Sequence, residues 1–153
     1  MLNEVINRGD TETLSFNALP ERVIGACIEI HRTLGPGLLE SAYEECLCYE
    51  LSQAGIRFQR QKPLPVSYKQ VNLDCGYRLD LAGEQSLLVE LKAVEELLAI
   101  LEAQLLTYLK LSKLTFGLLI NFNGPALKSG IRRIANGFQD SASPRLRGEV
   151  KFE

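Results

Sequence analysis

The chain has 153 residues, 46% of them hydrophobic, and a formal net charge of −2. This length and apolar content predict one domain with its own core and exclude a disordered chain. No run approaches the ~18 consecutive apolar residues of a membrane-spanning helix. The polar segment 1–10 carries acids and is not expected to act as a secretory signal. The near-neutral charge argues against a uniformly basic nucleic-acid coat.

The cysteines predict neither a zinc site nor a disulfide framework. None of them forms a CxxC pair, and Cys46 and Cys48 would point roughly 200° apart on a helix. The chain contains four: Cys27, Cys46, Cys48 and Cys75. We expect reduced, mostly buried thiols, which favours a cytoplasmic protein.

Apolar spacing predicts two helices in the N-terminal part of the chain. Residues 1–19 show no clean period, so we expect an arm there. Helical spacing starts at Pro20 and stops at Gly35-Pro36-Gly37, a segment that ends helices. A second helix is expected over residues 38–54, with Gly55 as its C-terminal cap.

The period then changes to two. Residues 71–81 alternate between apolar and polar, which predicts a long half-buried strand with Leu79 and Leu81 on one face. After a turn, residues 87–92 predict a second strand. A shorter edge strand is expected around residues 64–68, where prolines disfavour a central position.

The C-terminal part adds a helix and a buried strand. Residues 95–111 predict a strongly apolar helix, and the continuous apolar run 115–122 predicts a strand covered on both faces. Residues 127–134 would add an edge strand, and the polar residues 139–153 are expected to form a tail. The element order predicts an α/β domain over residues 20–138, with a mixed sheet and helices against its faces.

One polar face of the predicted hairpin collects two acids and a lysine. If the turn centres on residue 85, Asp80 lies opposite Glu90, with β-carbons roughly 4.5–5.5 Å apart. Lys92 shares the face of Glu90. Opposed carboxylates repel, and Mg²⁺ or Mn²⁺, which takes few carboxylates and keeps several waters, would relieve the repulsion. The lysine could act on a metal-activated water or stabilise charge on a phosphate.

A solvated strand face with a Glu–Lys pair is the alternative interpretation of this feature. The chain contains two acid-x-Lys triplets, at residues 90–92 and 149–151, where its composition predicts about one by chance. The second triplet has no expected partner strand. The register and the apolar setting therefore favour a metal site at the first.

Five further side chains are candidates for the same site. Gln104 and Tyr108 lie at i and i+4 on one helical face and can hydrogen-bond in a cleft, or form a surface Gln and a half-buried Tyr. Glu40 opens the second helix with Tyr43 beside it, and would either complement the helix dipole or complete the metal shell. His31 is either a core or helix-end histidine, or a proton carrier or phosphate contact near Glu40.

An ordered series of motifs resembles the GxxExxY protein family. The segment Gly37-Leu38-Leu39-Glu40-Ser41-Ala42-Tyr43 carries the signature itself, and the likeness covers roughly residues 20–134. The series comprises residues 31–37, 80, 90–94, 104, 108–110 and 117–122.

This family is placed in the PD-(D/E)xK nuclease superfamily. The resemblance implies a restriction-endonuclease-like fold, in which a mixed four-stranded sheet is flanked by helices in the order α-β-β-β-α-β. It also implies a helix-borne acid at Glu40, metal ligands at Asp80 and Glu90, and a catalytic lysine at Lys92. Gln104 and Tyr108 match the Q-x-x-x-Y element of RecB-like members. Leu79 stands where the superfamily motif has proline.

Three functions follow as hypotheses. The first is a Mg²⁺-dependent nuclease acting on DNA, which is favoured, or on RNA. In it the Leu91 carbonyl and Glu40 join Asp80 and Glu90 at the metal, and the substrate contacts are Gln104, Tyr108, Tyr43 and His31. The second is a nucleic-acid-binding module with a weak or inactive site, and the third is a structural or protein-interaction domain. Whether the protein forms a homodimer is left open.

The charges lie in separate blocks. Residues 57–78 hold five basic residues and one acid, and residues 103–139 hold five basic residues and no acid. Residues 84–102 hold five acids and one lysine. The net charge of −2 therefore leaves room for a local phosphate-binding surface.

Overall fold

The structure is a computed structural model that describes residues 8–136, with side chains from residue 18 onward. Within these residues it contains three α-helices and seven β-strands. The helices are α1 (Arg8–Leu34), α2 (Glu40–Gln53) and α3 (Ala99–Ser112). The strands are β1 (Phe58–Pro63), β2 (Val66–Tyr68), β3 (Val71–Leu73), β4 (Arg78–Gly83), β5 (Leu87–Lys92), β6 (Phe116–Asn121) and β7 (Ile131–Ala135).

Five strands form one mixed sheet in the order β1-β4-β5-β6-β7. Strands β5 and β6 are parallel, and the other neighbours are antiparallel. Strands β2 and β3, which lie between β1 and β4 in the chain, form a separate two-stranded ribbon. The predicted mixed α/β architecture is confirmed, but the main sheet has five strands rather than four. The fifth strand is β7, which corresponds to the edge strand expected over residues 127–134. Strand β1, whose mostly polar sequence gives no period-two signal, takes the edge position expected for residues 64–68.

The sheet separates two cores. Side chains of α1 and α2 pack on one face, against residues such as Leu81 and Ile120. Side chains of α3 pack on the other face, against residues such as Leu88 and Leu119. Strand β6 is buried from Gly117 onward, as its continuous apolar run predicts. None of the described helices is both long and apolar enough to cross a membrane.

Three helix boundaries differ from the predictions. Helix α1 begins at Arg8, inside the segment expected to form an arm, so the helical start predicted at Pro20 is wrong. Helix α2 begins only at Glu40, and α3 begins only at Ala99. The tail expected over residues 139–153 lies outside the described residues, as does the domain end expected at residue 138.

The long strand predicted over residues 71–81 is two strands, β3 and β4, separated by residues 74–77. The Asp74 carboxylate accepts a hydrogen bond from the Gly76 N–H at 3.2 Å, and Gly76 has a φ of +81°. Polar–apolar alternation continues through this turn, so the pattern alone does not show it. The edge strand expected at residues 64–68 is β2, which pairs with β3 instead of the main sheet. The strand expected over residues 127–134 starts as a 3₁₀ turn, Leu127–Gly130.

Candidate active site

The candidate site lies where two strand ladders are interrupted. Strands β4 and β5 pair from Leu81 to Gly83 in the register predicted for a turn centred on residue 85. The ladder stops before Asp80. On the other side of β4, the ladder to β1 skips the position of Asp80 and Gln61, and Gln61 has a φ of +53°. Because of this irregularity, Leu79 and Leu81 belong to opposite cores, and the prediction that they share one face is wrong.

At the interruption, the two acids replace the backbone ladder. Oδ2 of Asp80 accepts a hydrogen bond from the Leu91 N–H at 2.8 Å. Oε2 of Glu90 accepts one from the Asp80 N–H at 3.1 Å. Each carboxylate therefore bonds the backbone of the opposite strand, which holds the two acids close together across the hairpin.

The electrostatic environment disfavours charge on both acids. Burial, followed by the charge of Asp80, raises the pKa of Glu90 to about 8, although Lys92 and the Asp80 N–H oppose the rise. Burial also raises the pKa of Asp80, against the hydrogen bond from Leu91, and the charges of Glu44 and Glu40 add to the rise. Two like charges in a largely buried position are costly without a cation nearby.

The pair fits a small hard cation. Within residues 18–136, no group of three or more His, Cys, Asp or Glu side chains is arranged to hold a metal ion. Mg²⁺ needs fewer, because it binds through one or two carboxylates and keeps several waters. Asp80 and Glu90 supply those two carboxylates, and the Leu91 carbonyl next to Glu90 is a candidate backbone ligand.

Lys92 and Glu40 lie at the same end of β5. Lys92 is the last residue of that strand, and its charge lowers the pKa of both Asp80 and Glu90. Oε2 of Glu40 accepts a hydrogen bond from the Ala93 N–H at 3.3 Å. The structure thus brings the first residue of α2 to the end of the strand that carries Glu90 and Lys92.

Helix α3 contributes Tyr108 to the same place. Burial raises the pKa of Tyr108, and the charges of Glu90, Tyr77 and Asp80 add to the rise. The Tyr77 ring meets the Tyr108 ring edge-on, with centroids 6.0 Å apart. Gln104 lies one turn before Tyr108 and is half-buried.

Tyr43 and His31 have structural contacts instead. Tyr43 is fully buried, and its ring stacks on Phe122 at 4.2 Å. Its hydroxyl donates to the Gly35 carbonyl at 2.6 Å and accepts from the Leu38 N–H at 3.1 Å, which fixes the loop before α2. Direct substrate contact by Tyr43 is therefore not supported. Nε2 of His31 lies 2.9 Å from the Gly124 carbonyl, which favours the helix-end interpretation.

Glu44 is a buried acid near the site that sequence reasoning missed. Its carboxylate accepts hydrogen bonds from Arg60 Nε at 2.6 Å and from Gln61 Nε2 at 3.0 Å. Gln61 Nε2 also lies 3.4 Å from Oδ1 of Asp80 and thereby links Glu44 to Asp80. The available signal was the i+4 spacing from Glu40, which places both acids on one helix face.

Asn121 supports the strand end and was also missed. Its buried amide accepts from the Val94 N–H at 3.0 Å and donates to the Val94 carbonyl at 2.9 Å. This amide clamps the chain just after Lys92 to the end of β6. Asn121 ends the apolar run of β6, and a polar residue at the end of a buried run is the sequence signal that could have identified it.

The family model of the PD-(D/E)XK nuclease superfamily matches residues 17–134. The match covers most of the chain, and the protein therefore belongs to the PD-(D/E)XK nuclease superfamily. Its mixed sheet flanked by helices agrees with the restriction-endonuclease-like fold of that superfamily. Comparisons with curated proteins and with solved structures found no match.

Proposed function

We propose that the protein is a metal-dependent nuclease that hydrolyses phosphodiester bonds, with Mg²⁺ or Mn²⁺ bound between Asp80 and Glu90. The observation that carries this proposal is the pair of acids, each hydrogen-bonded to the opposite strand and each with a raised pKa. Superfamily membership supplies the reaction class. A perturbed acid pair of this kind is typical of a functional site rather than of a structural one.

The residues around the pair have distinct roles in this proposal. The cation, when bound, would act as a Lewis acid toward a phosphate oxygen and a water. Asp80, Glu90 and the Leu91 carbonyl would hold it, and Glu40 would bind it directly or through a water. Lys92 would orient the attacking water and stabilise negative charge on the phosphate.

Tyr108 and Gln104 would form the wall of the substrate cleft on the α3 side. Tyr108 is the better supported of the two, because the charges of both acids contribute to the rise of its pKa. The GxxExxY resemblance supports assignment to that family, and DNA stays the favoured substrate over RNA. Homodimer formation and a cytoplasmic location stay predictions.

A cleavage panel tests this function. Labelled single- and double-stranded DNA and RNA are incubated with Mg²⁺, Mn²⁺ or EDTA and the parent, Lys92→Ala or Lys113→Asn protein. Lys113 caps α3 with a φ of +64° and is exposed, and asparagine tolerates that backbone. We expect metal-dependent cutting by the parent and the Lys113→Asn protein, and loss of cutting in Lys92→Ala. Undiminished cutting by Lys92→Ala would contradict the assignment.

A nucleic-acid-binding module with a weak site is the second candidate. It is favoured by the hydrogen bonds that already occupy one oxygen of each acid in the pair. Steeply salt-dependent binding without cleavage in either metal would support it. If calorimetry detects no metal binding and no nucleic-acid shift is observed, the remaining hypothesis is a structural or protein-interaction domain.

A further inference from the structure

The β2–β3 ribbon is an exposed element whose role the proposed function does not explain. Every residue from 67 to 78 is exposed. Tyr68, in β2, is 59% exposed, and Tyr77, between the ribbon and β4, is 47% exposed. Aromatic side chains bury large areas and dominate contacts with partners, so one exposed ring on this small element and a second just after it indicate a binding surface.

Tyr77 connects this ribbon to the candidate active site. Its carbonyl accepts a hydrogen bond from the Leu64 N–H at 2.9 Å, and Leu64 belongs to the core below α3. Its ring meets the ring of Tyr108 on α3 edge-on, with centroids 6.0 Å apart, and Tyr77 precedes Asp80 by three residues. A half-exposed ring is therefore held against α3 close in the chain to Asp80, where it can stack on a base.

The charge of the ribbon favours a polyanion. Lys69 lies at the ribbon turn, with its Nζ 5.3 Å from the Tyr68 ring centroid. Arg78 follows Tyr77 and is exposed. The single acid of residues 57–78, Asp74, already accepts a hydrogen bond from the Gly76 N–H. Cations interleaved with aromatic rings are typical of proteins that bind single-stranded nucleic acid.

We propose that the ribbon binds single-stranded nucleic acid, with the Tyr77 ring stacked on an unpaired base next to the cleaved phosphate and Lys69 and Arg78 along the backbone. This inference deepens the proposed function and rests on it. The bases of a duplex are stacked on each other and offer no free face to Tyr77. A three-residue strand spans roughly 10 Å, so the ribbon can contact only the few nucleotides next to the site.

Fluorescence anisotropy with a labelled 12-nucleotide DNA single strand, in EDTA, tests the proposal on the full chain. The Tyr77→Leu protein should bind roughly tenfold more weakly than the parent, because one base–aromatic stack is lost. Tyr77→Phe keeps the ring and should retain the parent affinity. The matched control is Tyr49→Leu, since Tyr49 is 62% exposed on α2. It should bind like the parent.

A second readout reports stacking directly. The chain contains no tryptophan, so a Tyr77→Trp protein has a single indole. Its fluorescence should be quenched by saturating single strand, whereas that of a Tyr49→Trp protein should not change. A purely structural role of Tyr77 would alter folding but would not produce this quenching. Tyr68→Leu, which alters the ribbon away from the core, should also weaken binding.

Three results would overturn the proposal. The first is parent-like affinity of both Tyr77→Leu and Tyr68→Leu, with no quenching in Tyr77→Trp. The second is equal, Tyr77-dependent binding of a duplex. The third is a dimer in sedimentation velocity that Tyr68→Leu dissociates, which would make the ribbon a protein interface. Binding that depends on Tyr77 without any cleavage would refute nuclease activity but not single-strand binding by the ribbon. Cleavage that Tyr77→Leu does not affect would refute the role of the ribbon but not nuclease activity.

Discussion

Two buried glutamates near the site have opposite environments. Glu44 is 8% exposed, and Glu90 is 5% exposed. The carboxylate of Glu44 forms a salt bridge with Arg60 and accepts from Gln61. The carboxylate of Glu90 forms no salt bridge with the described residues and lies beside a second acid, and its pKa is raised. The protein neutralises one buried charge with Arg60, and under the proposed function a cation from solution would neutralise the other.

The difference shows that burial alone does not identify a functional acid. A buried acid that is paired and hydrogen-bonded, such as Glu44, stabilises the fold because its partner would otherwise be left unpaired. A buried pair of acids such as Asp80 and Glu90 destabilises the unliganded fold, and such a cost is typical of functional sites. Four experiments test the contrast between Glu44 and Glu90, and a fifth extends it to Tyr43.

The largest expected effect is on cleavage by Glu90→Gln. The amide keeps an oxygen that can accept from the Asp80 N–H but loses the charge needed for the metal. Cleavage should fall by at least about 100-fold, because even outer-shell changes at metal sites cost 10–100-fold. The melting temperature without metal should stay equal or rise, since the repulsion with Asp80 is removed. Cleavage within tenfold of the parent would break the contrast.

Glu44→Gln should show the reverse pattern. Arg60 loses its closest acid but retains Glu45 at 2.8 Å, so we expect a loss of about 1–2 kcal/mol in the free energy of unfolding. Urea unfolding followed by circular dichroism measures this loss. Cleavage should stay within a few-fold of the parent. If cleavage disappears while stability is kept, Glu44 belongs with the metal ligands.

Metal should stabilise the protein more at pH 8.5 than at pH 6. Because the pKa of Glu90 is raised in the folded protein, its carboxyl binds a proton there at pH 6, and the metal must displace this proton. Ten times the metal dissociation constant should add about 1.4 kcal/mol. Thermal melts with and without Mg²⁺ measure the shift, and Glu90→Gln should abolish it. A larger metal-induced shift of the melting temperature at pH 6 than at pH 8.5 would contradict metal binding to the ionised Glu90.

Without metal, the same linkage predicts a loss of stability with rising pH. The folded protein binds more protons at Glu90 than the unfolded chain does, so the free energy of unfolding falls from about pH 4.5 to about pH 8. Glu90→Gln should flatten this slope. A parent protein that gains stability across this window, relative to Glu90→Gln, would contradict the raised pKa.

The smallest effect is expected for Tyr43→Phe, which tests whether Tyr43 stabilises the fold or contacts the substrate. It should cost about 1 kcal/mol, because the hydroxyl bonds to Gly35 and Leu38 are lost while the stack on Phe122 remains. Cleavage should change little, and the exposed Tyr49→Phe serves as the control for stability. A large loss of cleavage with unchanged stability would restore Tyr43 as a substrate contact.

The facing of Asp80 and Glu90 could be predicted because a short turn fixes the register of a hairpin. The interruption of the ladder at Asp80 could not, since it depends on Gln61 in a strand with no sequence signal. The same limitation hid Arg60 as the partner of Glu44. The burial of Tyr43 could not be predicted from the sequence, because its ring is covered by Phe122, which lies far along the chain.

Side-chain periods and turn residues predicted most of the helices and strands, though not β1, together with the hairpin register and the facing of Asp80 and Glu90. These features depend on side-chain periods and turns, which act between neighbours in the chain. The three-dimensional contacts were needed to show that Arg60 neutralises Glu44, that Glu40 reaches the end of β5, and that the Tyr77 ring meets Tyr108. Those contacts join residues 16 to 53 positions apart, and no local period encodes such pairings.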